Sequence, residues 1–359
     1  MTVRVVVVDD SVVVRRTVAD VLGAADDIEV VGTASDGRLG LRKIADLKPD
    51  VVTLDVEMPG MGGLEALAHL RRDHPELAVI MYSTLTERGA AATFEALALG
   101  AVDYATKPSG AVNREAAASQ VRDNLLPLVR LWGRRAVPRP RKPAPVVVVV
   151  EETTPLVVPT GRVDLVVIGV STGGPDALAA LVPAIRADLP VPVVVVQHMP
   201  PVFTTMLAQR LDNLSGLHVA EAQDGETARA GNVYLAPGGQ HVEVRRGAGG
   251  LVLTLSDAPP ENSCRPAVDV LFRTAATATQ GRLLGVVLTG MGQDGLIGSQ
   301  HIRTAGGAVL AQDEATSVVW GMPGFVVRND LADRVLPLEQ IAPTITRLAT
   351  ATKKPEPVS

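Results

Sequence analysis

Short apolar runs alternate with helix-period segments along the first 133 residues. The apolar runs predict strands over residues 4–8, 29–34, 51–54, 78–82 and 101–105. The segments between them predict helices near 12–23, 38–46, 63–72, 87–99 and 112–131. Because short Val- and Ile-rich strands separated by helices favour a parallel sheet covered on both faces, we predict a doubly wound (βα)5 domain. Ligands of such domains bind beyond the carboxyl ends of the strands.

The same alternation resumes after residue 160. It predicts strands over 164–169, 192–197, 217–221, 284–288 and 308–311, and helices near 175–187, 203–212, 266–279, 296–304 and 338–349. Residues 232–257 differ, because they alternate at period two around a glycine-rich turn. We therefore predict a second, larger, Rossmann-like α/β domain with an added antiparallel hairpin.

A proline-rich segment separates the two patterns. The stretch "RRAVPRPRKPAPVVVVVEETTPLVVPT" cannot form a continuous helix, which predicts a linker over residues 134–160. The linker leaves one domain at 1–133, a second at 161–350 and a tail at 351–359. The five valines Val146 to Val150 could add a strand to a sheet edge or lie against one domain, and the sequence does not choose.

The composition indicates a globular protein of a reducing compartment. Hydrophobic residues make up 47% of the chain, but aromatic residues only 3%, so Val, Leu, Ile and Ala must build the cores. A single cysteine excludes an intrachain disulfide, and we expect a cytoplasmic protein. No uncharged apolar segment approaches the roughly 18 residues of a membrane span, so we expect no direct membrane insertion.

Charge argues against nucleic acid as a partner. Residues 1–133 carry 14 basic and 19 acidic side chains, and residues 161–359 carry 15 and 18. A nucleic-acid-binding domain is expected to carry a basic excess instead.

Charged and polar residues follow the predicted strands of the first domain. Asp9 and Asp10 follow the first strand, Asp55 the third, Ser83 the fourth and Lys107 the fifth. Carboxylates gathered at one sheet edge repel one another unless a cation is present, and Mg²⁺ suits such oxygen ligands. This set predicts phosphoryl transfer to Asp55, with Asp9 and Asp10 holding the metal. The alternative is that acidic residues at strand ends are only helix N-caps or turn formers.

The pieces "VVVDDS", "TLDVEMPGMGG", "MYSTLT" and "DYATKP" resemble the response-regulator receiver family over residues 1 to about 125. The resemblance implies a flavodoxin-like fold and phosphorylation of Asp55 by a histidine kinase. It implies Mg²⁺ held by Asp10, Asp55 and the backbone carbonyl of Glu57. It also implies that Tyr104 moves with Ser83 as a switch.

Three strand-end loops of the second domain carry a serine, a histidine and an aspartate. Ser171 lies in "VVIGVSTGGPDAL", His198 in "VVVVQHMPP" and Asp294 in "VVLTGMGQDGLIGS". A serine hydroxyl needs a base and an orienting carboxylate to act as a nucleophile. We therefore predict a Ser171–His198–Asp294 triad, with the backbone N–H of Met291 as oxyanion donor.

Other interpretations of these residues stay open at this point. Asp294 before a glycine and an apolar helix could be an N-cap, and the loop at Ser171 could be a dinucleotide-binding turn. The latter lacks the G-x-G-x-x-G spacing. His218 and His241 lie in strand-like runs and His301 lies in mid-helix, where structural or surface roles are expected.

The pieces "GVSTGGPDAL", "VVVQHMPPVFT", "VYLAPGGQHVEV", "CRPAVDVLF", "LTGMGQDG" and "QDEATSVVWGMP" resemble the catalytic domain of the chemotaxis protein-glutamate methylesterases. The resemblance covers about residues 163–347. It implies a serine esterase that hydrolyses glutamyl methyl esters on chemoreceptors, and commonly also deamidates receptor glutamines. It implies no cofactor in this domain.

The sequence also supports expectations for four further residues of the second domain. Thr172 and Arg265 are possible substrate contacts, although a structural ion pair would equally explain Arg265. Cys264 is expected to be a buried free thiol. Gly324 stands where the family pattern has a basic residue, and we expect a packing role for it.

Two functions of other classes compete with the esterase. A transcriptional response regulator would need a basic recognition helix, which the charge balance disfavours. A catalytically idle docking protein could use the same fold to bind receptors, although the complete set of Ser, His and Asp disfavours it.

Overall fold

The computed structural model describes residues 2–108, 113–134 and 162–350. These residues form two compact units, one on each side of residues 135–161. The valine run and almost all of the expected linker lie outside the described residues, as does the expected tail 351–359.

The first unit is a parallel sheet of five strands. In chain order they are β1 (Val3–Val8), β2 (Ile28–Ala34), β3 (Val51–Asp55), β4 (Ala78–Ser83) and β5 (Asp103–Thr106). Their order in the sheet is β2-β1-β3-β4-β5. The chain therefore places β2 on one side of β1 and then crosses to the other side of β1 for β3, β4 and β5. β3 and β4 are buried along their whole length, as near-continuous apolar strands covered on both faces must be. The predicted doubly wound fold is confirmed.

Four of the six helices described in this unit begin at a short polar side chain that caps them. They are α1 (Val12–Gly23), α2 (Gly37–Leu47), α3 (Gly63–Asp73), α4 (Glu87–Ala98), α5 (Arg114–Asn124) and α6 (Leu126–Gly133). The side chains of Ser11, Asp36, Thr86 and Asn113 each accept a hydrogen bond from a backbone N–H in the first turn. The single helix predicted near 112–131 was wrong, because the structure has two helices there. Pro127 explains the break, since it has no N–H to continue the ladder of α5.

The second unit contains a parallel sheet of seven strands. The strands of the unit, in chain order, are β6 (Leu165–Val170), β7 (Val193–Gln197), β8 (His218–Glu221), β9 (Asn232–Leu235), β10 (His241–Gly247), β11 (Gly250–Ser256), β12 (Leu283–Val287), β13 (Ala308–Gln312) and β14 (Arg334–Leu336). The sheet order is β14-β13-β12-β6-β7-β9-β8. The chain therefore runs outward from β6 in one direction and later from β12 in the other. The carboxyl ends of β12, β6 and β7 border this topological switch point, where α/β folds place their ligand crevice.

The predicted hairpin is real but shorter than expected. β10 and β11 pair antiparallel as a separate two-stranded sheet. The first part of the predicted hairpin was wrong, because β9 pairs parallel with β7 and β8 inside the main sheet. Its residues Val233 to Leu235 are buried there, which accounts for their apolar character. β14 has no counterpart in the prediction, since three partly exposed residues leave no recognisable pattern.

Helices cover this sheet and build its core. They are α7 (Gly174–Ala184), α8 (Phe203–Leu214), α9 (Val268–Thr279), α10 (Leu296–Thr304), α11 (Met322–Arg328) and α12 (Leu338–Thr350). One apolar cluster joins α9, through Leu271 and Phe272, to strands of both sheets, including Val244 of the hairpin and Val287 of β12. None of the helices in the described ranges has the length and apolar character that a bilayer crossing requires.

Replacing Phe272 by alanine tests this account of the core. Its side chain is fully buried in the cluster, so Phe272→Ala should lower the free energy of unfolding of its unit by about 3–5 kcal/mol. Urea unfolding of the full chain measures the change. As control, Leu214→Ala removes an apolar side chain that is 51% exposed, and should change stability by less than about 0.5 kcal/mol. Similar losses in the two variants would contradict this account.

Candidate functional site

Ser171 lies on a loop whose backbone is held from several sides. It directly follows β6, and its N–H donates to the carbonyl oxygen of Thr289 at 3.0 Å. Its own carbonyl oxygen accepts from the N–H of Gly174 at 2.8 Å and from Nε2 of Gln197 at 3.0 Å. A Cβ on Gly290 would lie 2.8 Å from the Cβ of Ser171. The position beside the serine must therefore be glycine.

His198 and Ser171 occupy matching positions on neighbouring strands. Val170 and Gln197 are register partners in the parallel pair β6–β7, and Ser171 and His198 each come next. The predicted adjacency of the two strand ends is confirmed. Within the described residues, no hydrogen bond joins the hydroxyl of Ser171 to His198. Catalytic contacts are commonly loose before substrate binds.

A short hydrogen bond joins His198 to Asp294. Nε2 of His198 lies 2.7 Å from Oδ2 of Asp294, and the side chains are 12% and 3% exposed. Burial opposes the charged imidazolium, but hydrogen bonds to Asp294 and Cys264 outweigh it and raise the pKa of His198 to about 9. Burial also opposes ionisation of Asp294, yet His198 and backbone donors hold the pKa of that carboxyl below its ordinary value. The pair is therefore electrostatically coupled.

Asp294 receives backbone donors from α9 rather than from the body of α10. Its Oδ2 accepts from the N–H of Val268 at 2.6 Å, and its Oδ1 from the N–H of Asp269 at 3.0 Å. The N-cap position of α10 is Gly295, with no side-chain cap, although its N–H donates to Oδ1 of Asp294 at 3.0 Å. The alternative of Asp294 as the side-chain N-cap of the following helix is not what the structure has.

Asp269 and Asn262 complete this arrangement, and the sequence analysis missed both. Oδ1 of Asp269 accepts from the N–H of Gly295 at 3.0 Å and of Gly298 at 2.6 Å. Nδ2 of Asn262 donates to Oδ2 of Asp269 at 2.9 Å and to Oδ1 of Asp294 at 3.0 Å. Asp269 lies in the quoted piece "CRPAVDVLF", where its apolar neighbours give no sign that this acid is a buried hydrogen-bonding group. Its pKa is raised, mainly by burial.

Cys264 also lies beside the histidine. It is a free thiol, as expected, but it is half-buried rather than buried. One donor atom each from His198, Cys264 and Asp294 lies within 4.8 Å of the others. Nothing in the sequence linked Cys264 to this cluster, since it lies 66 positions from His198 and 30 from Asp294.

The loop after β12 presents Met291 to solvent. The side chain is 37% exposed, and φ is +84° at the next residue, Gly292. The flanking Gly290 donates its N–H to the carbonyl oxygen of Val319, whereas among the described residues the N–H of Met291 has no intramolecular acceptor. An N–H without an intramolecular acceptor at this position suits an oxyanion donor.

The weaker candidates are engaged in local contacts. The carbonyl oxygen of Thr172 accepts from Oγ1 of Thr289 at 3.0 Å. Nη1 of Arg265 donates to the carbonyl oxygens of Asp257 and Ala258. These contacts hold both residues without engaging Ser171, His198 or Asp294.

Gly324 packs within its unit. It is buried in α11, where an added Cβ would lie 3.0 Å from Cε3 of Trp320. This close approach accords with the expected packing role.

The other histidines of this unit have structural surroundings. His218 is exposed and pairs with Asp212 at 3.2 Å. His241 is buried, and its Nδ1 accepts from the N–H of Ala267 at 3.1 Å. His301 is an exposed residue of α10.

A second polar cluster lies at the carboxyl edge of the first sheet. Nζ of Lys107 is 2.8 Å from Oδ2 of Asp9 and 2.7 Å from Oδ2 of Asp55. Burial raises the pKa of Asp9, and burial together with the charge of Asp9 raises the pKa of Asp55 to about 6 against the opposing effect of Lys107. The pKa of Lys107 is raised, because its two carboxylate partners outweigh burial.

These carboxylates fit a divalent cation. Oxygen atoms of Asp9, Asp10 and Asp55 lie within 4.8 Å of one another, with Asp9 and Asp55 buried and Asp10 exposed. A cation there would offset the repulsion and desolvation that raise the pKa values of the two buried acids.

The remaining residues predicted for this edge lie around it. The N–H of Glu57 donates to Oδ1 of Asp55 at 3.2 Å. Ser83 is buried, and its hydroxyl donates to the carbonyl oxygen of Gly89 at 3.1 Å. Tyr104 is half-buried on β5.

Family models match both halves of the chain. Residues 166–345 match the family described as CheB methylesterase, and residues 5–118 match the response regulator receiver domain.

Curated relatives match nearly the full chain. A protein of Trichodesmium erythraeum named protein-glutamate methylesterase/protein-glutamine glutaminase is 48% identical, over 96% of this chain and 98% of its own length. A protein of the same name from Nocardioides sp. is 51% identical, over 96% and 95%. The crystal structure of the Thermotoga maritima CheB methylesterase catalytic domain covers 52% of this chain and 99% of its own, with 43% identity and a TM-score of 0.51.

The raised pKa of Asp55 predicts a pH-dependent gain from neutralising it. Folding raises this pKa from 3.8 to about 6, so the resulting stabilisation is complete below pH 3.8 and is lost as pH rises through about 6. In the absence of divalent cations, Asp55→Asn should therefore unfold at higher urea than the parent above pH 6. The gain should be up to about 3 kcal/mol and should vanish at pH 4.

A matched control separates this effect from general charge reduction. Asp46→Asn removes an exposed carboxylate of α2, and should leave the pH dependence of urea unfolding as in the parent. A gain in Asp55→Asn that is equal at pH 4 and pH 8 would contradict the assignment to ionisation of Asp55.

Proposed function

The chain belongs to the CheB methylesterase family and carries a response regulator receiver domain, and we propose that its hydrolytic centre is formed by Ser171, His198 and Asp294. The enzyme is a protein-glutamate methylesterase and protein-glutamine glutaminase under phosphorylation control. The observation that supports the proposed centre is the 2.7 Å hydrogen bond between His198 and Asp294. His198 and Ser171 follow the ends of two neighbouring strands, β7 and β6, at matching positions. A transcriptional regulator is set aside because residues 166–345 match the CheB methylesterase family, and an idle docking protein is the rival that the experiment on Ser171 below tests.

The first half of the reaction forms an acyl-enzyme. The hydroxyl oxygen of Ser171 attacks the side-chain carbonyl carbon of a methylated glutamate while the neutral form of His198 accepts the hydroxyl proton. Asp294 holds the ring by its Nε2 and stabilises the imidazolium. The N–H of Met291 donates to the developing oxyanion. His198 then protonates the leaving oxygen, and methanol departs.

The second half returns the enzyme. Water attacks the acyl carbon, His198 accepts its proton, and the Ser171 oxygen leaves as a hydroxyl after reprotonation. A glutamine side chain follows the same course with ammonia as the leaving group. Thr172 and Arg265 are candidate contacts for the substrate around this centre, and methyl-accepting chemoreceptors are the proposed protein substrates.

The receiver domain supplies the control. Asp55 accepts a phosphoryl group from a histidine kinase, and Lys107 can contact a phosphoryl oxygen by its ammonium group. Asp9, Asp10, Asp55 and the carbonyl of Glu57 would hold Mg²⁺, which neutralises charge on the transferring group. Ser83 and Tyr104 respond to the new group. A tenfold activation requires only about 1.4 kcal/mol of differential stability.

The proposed organisation is a receiver domain over 1–133, a linker over 134–160 and a catalytic domain over 161–350. The lone unpaired thiol and the phosphodonor suit a cytoplasmic enzyme.

Replacing the nucleophile tests the proposed centre. Ser171→Ala should reduce methanol release from methylated receptor by at least about 10³-fold, because the residual binding groups alone catalyse weakly. Circular dichroism should show an unchanged fold. Ser256→Ala, on the hairpin, should keep the parent rate. A serine-directed phosphonate should label the parent at Ser171. Parent-like methanol release by Ser171→Ala would remove Ser171 from the mechanism.

Replacing the phosphoacceptor tests the control separately. A small phosphodonor with Mg²⁺ should stimulate methanol release by the parent and by Asp46→Asn, but not by Asp55→Asn. The reason is that an amide cannot accept the phosphoryl group. Equal stimulation of Asp55→Asn and the parent would reject Asp55 as the acceptor.

A further inference from the structure

We propose that His198, Cys264 and Asp294 form an inhibitory binding site for Zn²⁺. The proposal goes beyond the esterase function, because it assigns a metal to residues that act in hydrolysis without one or, in the case of Cys264, have no part in it. Its consequence is that zinc ions switch the esterase off reversibly.

The three donors are close enough for one ion. A ring nitrogen of His198, Sγ of Cys264 and a carboxylate oxygen of Asp294 lie within 4.8 Å of one another. Tetrahedral zinc with bonds of about 2.0–2.3 Å places its donors about 3.5 Å apart. The 2.7 Å contact between His198 and Asp294 would open by roughly 1 Å, and the thiol, which lies no more than 4.8 Å from either donor, would move in by at most roughly 1 Å.

The chemistry of this set favours zinc over the cation of the receiver domain. Thiolate and imidazole are soft or borderline ligands that select zinc, whereas Mg²⁺ prefers oxygen alone. The cluster of Asp9, Asp10 and Asp55 offers only oxygens. Each of the two clusters therefore suits a different ion.

The surroundings keep the donors in place. Asp294 is fixed by the backbone N–H groups of Val268 and Asp269, so its carboxylate is held before any ion arrives. His198 is only 12% exposed and Cys264 is half-buried and free. Binding displaces the thiol proton of Cys264 and the proton on the coordinating ring nitrogen of His198, both of which pass to solvent, and water fills the fourth position. An ion held here takes the histidine nitrogen or its orienting carboxylate away from proton transfer, which inhibits the esterase.

Cobalt spectroscopy tests binding without using activity. Co²⁺ substitutes for Zn²⁺, and a cysteine thiolate bound to it gives a charge-transfer band in the near ultraviolet. The chain has one cysteine, so the band can arise only from Cys264. One equivalent of Co²⁺ added to the full chain, with Mg²⁺ present in excess, should give the band. Zn²⁺ should remove it by competition.

Variants connect the band to inhibition. Cys264→Ala and Cys264→Ser should lose the band, and half-inhibition of methanol release should need at least tenfold more Zn²⁺, relative to each variant's own zinc-free rate. Ser171→Ala should keep the band although it releases no methanol, which separates this proposal from the esterase mechanism. His218→Asn removes the exposed His218–Asp212 pair as a competing site, and should keep both band and inhibition.

Two results would contradict the proposal. Absence of the thiolate band in the parent at one equivalent of Co²⁺ would overturn the site. Equal zinc sensitivity of the parent and both Cys264 variants would overturn the assignment of inhibition to this cluster.

Discussion

The carboxylate of Asp294 is the point on which the hydrolytic half of this protein depends. It accepts hydrogen bonds from His198, Asn262 and the backbone N–H groups of Val268, Asp269 and Gly295. Those donors come from the loop after β7, from residues 262–269 before and at the start of α9, and from the loop after β12 that carries Asp294 itself. One buried group thereby fixes three chain segments that are far apart in sequence. Because the buried N–H groups of Val268 and Asp269 would otherwise lack a partner, loss of this carboxylate would destabilise the fold as well as the site.

The sheet topology explains why these segments can meet. β6 lies between β12 and β7, so the loops after all three strands open on one crevice. Asp269 mirrors Asp294, since its carboxylate takes N–H groups of Gly295 and Gly298 at the start of α10. Asp294 therefore accepts from the start of α9, where Asp269 lies, and Asp269 accepts from the start of α10, which follows Asp294. The two carboxyl groups lie buried side by side, where Asn262 donates to both and each also accepts from backbone N–H groups at a helix start.

Much of this could be predicted from sequence because the signals are local. Apolar runs and capping residues located nearly every helix and strand, and strand ends carrying Ser171, His198 and Asp294 pointed to one edge. The failures were of two kinds. β9 was assigned to the hairpin because a short strand in a parallel sheet has the same composition as one in a hairpin. Asp269, Asn262 and Cys264 were missed because their roles come from contacts between distant segments, which no spacing records.

Asp294 both contacts His198 and satisfies backbone N–H groups at the start of α9. These two roles affect how inactive relatives of such an enzyme should be recognised. A copy that had lost its esterase function would still need this carboxylate to satisfy the N–H groups of α9, so its presence is a mark of the fold rather than of activity. Ser171 differs, because neighbouring groups hold it by its backbone N–H and carbonyl oxygen, and its hydroxyl has no hydrogen-bond partner within the described residues. Selection for stability alone would not retain a hydroxyl group at this position. The serine, and not the aspartate, is therefore the residue that distinguishes an active enzyme from a relative that has lost the esterase function.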